Sequence, residues 1–546
     1  MFKKKDKSSK VYEFWYLFLL IVGICIGSGI YVKNQELISQ TKSPWIATVL
    51  WLVIGMVCVI SIVAFMEIAK STEKQGNGTV SNWCKLFINR KFASFVSILY
   101  TTIYMPAYQS IFVSLTIAYF FVFTGVTPNP AALLSTYIIV GLFLFVLFAF
   151  VNVYSANASR KIQFLTMFIK FIPLIVAFFA GFIIYAINHK TMPGMGLRPN
   201  DNEEIISPIF MNYLGGMGAI LFSFDGYIFT ANTQKSAKNK KVVPIAIIAG
   251  LIFITLFYVL MAFSLFLGGD GSVQSVLKTV FAGFNTNPSP KAEKAANTVV
   301  YLIMFFICLF NINMFTHFGT SNLLSDHNMK LVYLKEGKAS FKTAAFTQAA
   351  ISGTFYVALI LIGGLSVHGD WKGISTVTPQ TGKEVGYLTG PMFYVGIMSS
   401  VCVVLIFIVI SILMIAAMIN RKTQKVKVDE VKFFWPAAII GTVFFLFFTI
   451  CGLIVFLAPQ LLDSVGQKTK WTENGGMMFT IIFIVTLVAT FVVWLLQERM
   501  FKKRPFENGF DGEIDKDMKV NNWMAAKEAQ ELKEMKNESK TKIKSA

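Results

Sequence analysis

Gly23-Ile24-Cys25-Ile26-Gly27-Ser28-Gly29-Ile30-Tyr31 lies inside an apolar stretch that runs from Val11 to about residue 38. Glycine permits a helix to unwind there and lets a ligand reach the backbone. A matching interruption occurs much later in the chain, within 205–234. It reads Gly215-Gly216-Met217-Gly218 and then Phe222-Ser223-Phe224-Asp225-Gly226-Tyr227. Counting apolar stretches makes these the first and sixth spans, which open successive blocks of five. A block with an odd number of spans inserts inverted relative to its copy, and paired interruptions in such blocks mark a transporter site at the repeat interface.

Working outward, the 546 residues are 55% hydrophobic and only 14% charged, with a mean hydropathy of +0.62. A soluble domain of that size cannot hide so much apolar surface. Stretches of twenty or more apolar residues recur, each long enough to cross roughly 30 Å of hydrocarbon. Lipid offers no partner to an open backbone amide, so helices are the expected spanning elements. A barrel would show short alternating strands, and Thr136 to Phe150 does not alternate. The expectation is an all-α polytopic membrane protein with about twelve transmembrane helices, near 11–38, 45–69, 94–123, 131–154, 159–187, 205–234, 242–268, 294–326, 341–366, 389–420, 433–458 and 475–498.

Lysine and arginine set the orientation. With the N-terminus inside, the tail and inner loops hold 25 of them before the C-terminal tail is counted, and the outer loops hold 10. This places both termini in the cytoplasm and the chain in the plasma membrane. The domain plan is an N-tail over 1–10, a first repeat over 11–187, a second over 205–420, two extra helices over 433–498 and a C-tail over 499–546. Residues Met1 to Lys10 and the apolar run behind them imitate a secretory signal, but that run is longer than a signal core and helical sequence resumes at once, so it reads as a retained span. Richness in Lys, Phe, Ile and Asn suggests an AT-rich bacterial genome.

The net charge of +20 does not point to nucleic acid, because the lysines sit in loops and tails and no nucleic-acid-reading motif accompanies them. Six cysteines follow neither paired nor metal-ligand spacing, and read as small apolar fillers. His189, His317, His327 and His368 are far apart, and no metalloprotease, nucleophile-elbow or phosphate-loop motif is present. No enzyme, cofactor or metal site is therefore expected, and no filter sequence suggests a channel. A sensor built on a transporter scaffold is the remaining alternative.

An unwound midplane segment exposes N–H groups from one half-helix and C=O groups from the other, which suits a carboxylate and an ammonium. Gly23 and Gly27 also satisfy a close-packing spacing of small residues, so packing is the competing explanation. Lys170 and Asp225 are the charges placed deepest in the spans, and such groups are costly unless they serve a function. Asp225 has three open roles: holding a cationic side chain, relaying protons, or capping a half-helix. Tyr104 and Tyr108 on span three are candidate gate residues or packing, and Asn311 and Asn313 on span eight are candidate pocket or interhelical groups.

Ile26-Gly27-Ser28-Gly29-Ile30 resembles the first-helix signature of the amino acid–polyamine–organocation permeases. Gln163 to Lys170 with Pro173 resembles their fifth-helix pattern, and Phe222 to Gly226 their sixth. The resemblance covers about the first ten spans. It implies a LeuT-like five-plus-five inverted repeat and transport of amino acids, with polyamines or other organic amines as the alternative. It also implies that the backbone of Ile26, Gly27, Ser28, Gly29 and Ile30 receives a carboxylate, while Phe222, Ser223, Phe224, Asp225 and Gly226 receive the amino group. Lys170 occupies the position where a lysine replaces sodium in relatives, so sodium-independent transport coupled to a proton, or driven by exchange, is expected. Lys170 paired statically with Asp225 or with helix carbonyls is the competing view. The chain departs from the family pattern at Gln75 to Gly78, at Gln234 to Lys240, which lacks an acid and a proline, and at Ser325-Asp326-His327.

Overall fold

The structure is a computed structural model that describes residues 2–26, 29–41, 43–71, 79–126, 128–187, 217–218, 220–232, 242–285, 289–333, 340–366, 376–377, 384–385, 389–466 and 475–503. Gly27, Ser28, Gly215 and Gly216 lie outside the described residues, as do 504–546. The described chain is nearly all helix. In order it runs α1 (Phe2–Cys25), α2 (Gly29–Thr41), α3 (Pro44–Lys70), α4 (Val80–Phe87) and α5 (Arg90–Leu99), then a π-helix (Tyr100–Tyr104) continued by α6 (Met105–Thr124). Next come α7 (Pro130–Tyr154), α8 (Ala156–Ile187), a 3-10 helix (Asp225–Asn232), α9 (Val243–Gly268), α10 (Val273–Phe281), α11 (Pro290–Asn328) and α12 (Phe341–Ser366). The chain ends with α13 (Thr389–Thr423), α14 (Phe434–Gly466) and α15 (Gly475–Lys503). One small antiparallel pair, β1 (Thr376–Val377) and β2 (Glu384–Val385), interrupts the helices.

Among the described residues, ten helices are long and apolar enough to cross a membrane, and each overlaps an expected span. The two expected spans missing from that set are the interrupted ones. Span one is divided between α1 and α2, and the sixth is described only over 217–218 and 220–232. Several spans start with the same local chemistry. Ser43, Asn129 and Ser289 each precede a proline at the first helical position and cap the N–H of Ile46, Ala132 and Ala292, respectively. The side-chain oxygen serves an orphan donor, and proline has none to lose.

Apolar side chains on the outer surface, such as Ile139, Phe143, Phe179 and Val443, are more than half exposed, as lipid-facing residues are. α15 buries only 17% of its apolar window, which puts it at the edge of the bundle. At the centre, α6 runs along α11, and α9 packs against α3, α8 and α1. The contact of α8 with α9 needs glycine, because a Cβ on Gly268 would stand 2.5 Å from the Gly181 Cα. At one end of the bundle the Glu67 carboxylate binds the Arg421 guanidinium and the Val431 N–H, tying α3 to the end of α13 and the turn that follows it.

Candidate functional site

Span one stops being helical at Ile26, whose N–H makes the last helical bond, to Val22, and helix resumes at Gly29. Helix termini leave carbonyls without partners. Two of those carbonyls are served from other spans. The Tyr258 hydroxyl of α9 donates to Cys25 O at 2.9 Å, and the Lys170 Nζ of α8 donates to Ile26 O at 3.4 Å. A cation at a helix C-terminus is favoured by the helix dipole as well. Pro173 removes a donor from the ladder of α8 near Lys170, whose own carbonyl accepts from Tyr31 Oη at 2.5 Å. Lys170 is buried, and no ion pair among the described residues joins it to Asp225. Of the two static partners considered for it, the structure shows the carbonyl.

The sixth span is helical up to Phe224 and changes to a 3-10 helix at Asp225. The two interruptions touch. A Cβ on Gly29 would meet Ser223 Oγ at 2.5 Å and Ser223 Cα at 2.7 Å, so only glycine lets the backbones come this close. The Tyr258 hydroxyl also lies 3.5 Å from Ser223 O, which places one side chain at both breaks. Ile26 and Ile30 are fully buried around the gap.

Asp225 is 4% exposed. Its Oδ2 accepts from Tyr104 Oη at 2.5 Å and from Tyr108 Oη, while Oδ1 meets no hydrogen-bond partner. A buried carboxylate oxygen left without a donor is costly, and in a cleft it marks a place for a ligand. The tyrosines reach it from a π-helical turn, a distortion frequent at functional sites. Gln348 of α12 serves a carbonyl in that turn, since its Nε2 donates to Thr101 O at 3.1 Å. Tyr108 is sandwiched between Phe222 and Phe315, with ring centroids 5.1 and 5.2 Å away.

The structure therefore brings together Ile26, Gly29, Ile30, Lys170, Ser223, Asp225, Tyr104, Tyr108 and Phe222. Phe224 packs on Tyr258 behind the break, and Gly226 follows within the 3-10 turn. Asn311 lies one turn before Phe315 on α11, buried, and neither of its amide atoms has a partner. Asn313 is elsewhere: it accepts from Asn152 Nδ2 at 2.9 Å and donates to Ser159 O at 3.2 Å, joining α11 to α7 and α8. An apolar groove between α7 and α12, lined by Leu142, Phe145 and Val357, holds none of these residues.

Sequence reasoning passed over Lys33, Tyr258 and Asp326. Lys33 is 7% exposed, one turn beyond Gly29 on α2; its Nζ lies 5.3 Å from the Phe222 ring centroid and 3.4 Å from Ser399 Oγ. Its spacing of four from Gly29, on the same helical face, was the available signal. Asp326, fully buried near the end of α11, takes hydrogen bonds from Ser81, Thr79 and Ser97. Beside it, Lys85 of α4 donates to Met329 O at 2.5 Å. Burial and the neighbouring charges of Arg90 and Lys330 bring the Lys85 amine down from 10.5 to about 7, against an upward pull from Asp326.

A sequence model of amino acid permeases matches residues 12–486. An uncharacterized protein of Mycoplasma pneumoniae is 22% identical over 92% of this chain and 96% of its own length. Crystal structures of a manganese transporter from Eremococcus coleocola, one a histidine-to-alanine mutant and another a glutamate-to-alanine mutant, superpose with a TM-score of 0.52. Each shares 12% identity over 90% of this chain and 96% of theirs. At that identity the likeness is one of fold.

Proposed function

The chain belongs to the amino acid permease family, and from that membership we propose that this multi-pass membrane transporter carries amino acids across the plasma membrane as a sodium-independent secondary carrier. The observation that carries the reading is the meeting of the two interrupted spans at Gly29 and Ser223, beside a buried Asp225 whose Oδ1 has no partner. Backbone N–H groups at the start of α2 receive the substrate carboxylate, at the positive end of a half-helix. Asp225 Oδ1 receives the ammonium, in a charge-assisted bond of the stronger class. Phe222, Tyr108 and Phe315 supply aromatic faces beside it. Lys170 holds a positive charge on the freed Ile26 carbonyl, so the break needs no metal cation there. A proton gradient or exchange for another amino acid then drives transport.

The five-plus-five inverted repeat, with 433–498 as two additional helices, is the architecture that fits paired breaks in spans one and six. Both termini lie in the cytoplasm, together with the Glu67–Arg421 pair and Asp326. Cysteines introduced at Lys238 and Lys425 should resist an impermeant thiol reagent that labels cysteines at Asn200 and Asp370.

An amine is the group that Asp225 selects, so polyamines and other organic amines are the second reading. A thermal-shift screen of the purified protein against all amino acids and common polyamines decides between them. Stabilisation by one or more amino acids that is lost in Asp225→Asn supports the proposal. Stabilisation by polyamines alone would move the substrate to that class, and no shift with either would overturn both.

A further inference from the structure

Ser97, Tyr100, Tyr104 and Tyr108 follow one another on span three at intervals of three, four and four residues. That spacing puts their hydroxyls on one face of the helix. The two ends of the row touch different buried carboxylates. Tyr104 and Tyr108 donate to Asp225 Oδ2, and Ser97 donates to Asp326 Oδ2 at 2.5 Å. Seven residues separate Ser97 from Tyr104, roughly 10 Å along the axis.

Tyr100 lies between them. It is 2% exposed, its ring centroid is 4.8 Å from that of Tyr104, and its hydroxyl has no hydrogen-bond partner. That hydroxyl is within electrostatic reach of both Asp225 and Asp326. Proteins seldom leave a buried hydroxyl unsatisfied. One suspended between two carboxylates can turn toward either.

We propose that Asp225, Tyr104 with Tyr108, Tyr100, Ser97 and Asp326 form a proton relay from the candidate substrate site to the inner mouth of the transporter. Each hydroxyl oxygen takes up one proton as its own passes to the next oxygen. One proton therefore enters at Asp225, one leaves at Asp326, and rotation about the C–O bonds resets the row with every hydroxyl intact. The relay rests on the transport reading only for its purpose. An ammonium arriving at Asp225 Oδ1 displaces the proton into the row, and because the row ends on the inner side, substrate and proton travel in the same direction.

The surrounding groups suit this direction of travel. Around Asp225 stand Tyr104, Tyr108 and Tyr100 of span three, Tyr227 of the 3-10 helix and Cys402 of α13, with no cation among them. Around Asp326 stand the hydroxyls of Ser97, Ser81 and Thr79, the Cys84 thiol, Tyr100, His327 next in the chain, and the Lys85 amine. Arg90 and Lys330 act on Asp326 through Lys85, which exchanges protons near neutral pH and so makes an acceptor at the mouth.

The test reads the proton itself. In D2O, the carbonyl stretch of the protonated Asp225 carboxyl, assigned by its loss in Asp225→Asn, reports how fast that buried proton exchanges with solvent. Tyr100→Phe keeps the ring and removes only the hydroxyl, and should slow the exchange at least tenfold. Ser97→Ala, which leaves Asp326 its Ser81 and Thr79 donors, is the second variant and should do the same. An unchanged rate in either folded variant would overturn the relay. In liposomes, an equimolar mixture of labelled amino acids should still undergo counterflow in Tyr100→Phe, with at least tenfold less accumulation driven by a pH gradient. Slowed isotope exchange without amino acid uptake by the wild type would keep the relay and discard the substrate class. Gradient-driven uptake untouched in Tyr100→Phe would discard the relay and keep the carrier.

Discussion

Asp225 and Asp326 are both aspartates buried at helix interruptions or ends, and they are furnished in opposite ways. Asp326 has donors on both oxygens: Ser81 at 2.7 Å and Thr79 at 3.3 Å on Oδ1, and Ser97 at 2.5 Å on Oδ2. Asp225 has both of its donors on Oδ2 and none on Oδ1. The first is a junction that locks α4, α5 and α11 together while terminating a chain of hydroxyls. The second keeps an acceptor in reserve. Depth in the membrane therefore does not decide what a carboxylate does; the supply of donors from neighbouring helices does.

The widest gap between the two should appear in ligand binding. Asp225→Asn is expected to weaken amino acid binding by roughly 100-fold, the upper range for loss of a hydrogen bond to a charged group. Scintillation-proximity binding measures this, and equal losses in Asp225→Asn and Asp326→Asn would erase the contrast. Stability should show the reverse. Asp326→Ala strands three hydroxyls and should cost about 2–3 kcal/mol, visible as a lower thermal midpoint, whereas Asp225→Ala should cost less because its two tyrosines can turn toward each other. A larger drop for Asp225→Ala would mean that Asp225 is the structural member of the pair.

Gly29→Ala sharpens the comparison from the other side of the site. The added methyl presses on the Ser223 backbone, and overpacking of this kind costs about 1–3 kcal/mol. Uptake should fall with it, and Ser223→Gly should restore part of both by removing the nearer side-chain atoms. No recovery at all would locate the damage in the backbone contact alone.

The smallest effect concerns the Asp326 end. Lys85 is charged in the folded and unfolded chain below about 7, and between about 7 and 10.5 the unfolded chain holds more protons. Stability should therefore rise with pH across that window. Lys85→Met should flatten this rise in thermal midpoints, and an unaltered slope would remove Lys85 from the inner mouth.

Much of the scaffold was legible because hydropathy alone sets span boundaries. The expected 242–268 and 341–366 coincide closely with Val243–Gly268 and Phe341–Ser366. The break after Ile26 was legible from glycine, and Asp225 from its depth in an apolar run. What stayed hidden depends on contacts across the chain. Ser97 and Ser81 are 229 and 245 residues from Asp326 in sequence, so Ser325-Asp326-His327 showed only a departure from the family pattern. The π-helical turn at Tyr100–Tyr104 has no glycine or proline inside it to announce it. Lys33 was absorbed into the end of an expected span, because hydropathy does not show which way a side chain points.

Uptake of a labelled amino acid mixture into liposomes, in sodium-free buffer under an inward proton gradient, tests the central claim most directly. The account predicts accumulation by the wild type that persists without sodium and is abolished by Asp225→Asn while the protein remains folded. Accumulation that requires sodium, or that survives Asp225→Asn, would contradict it.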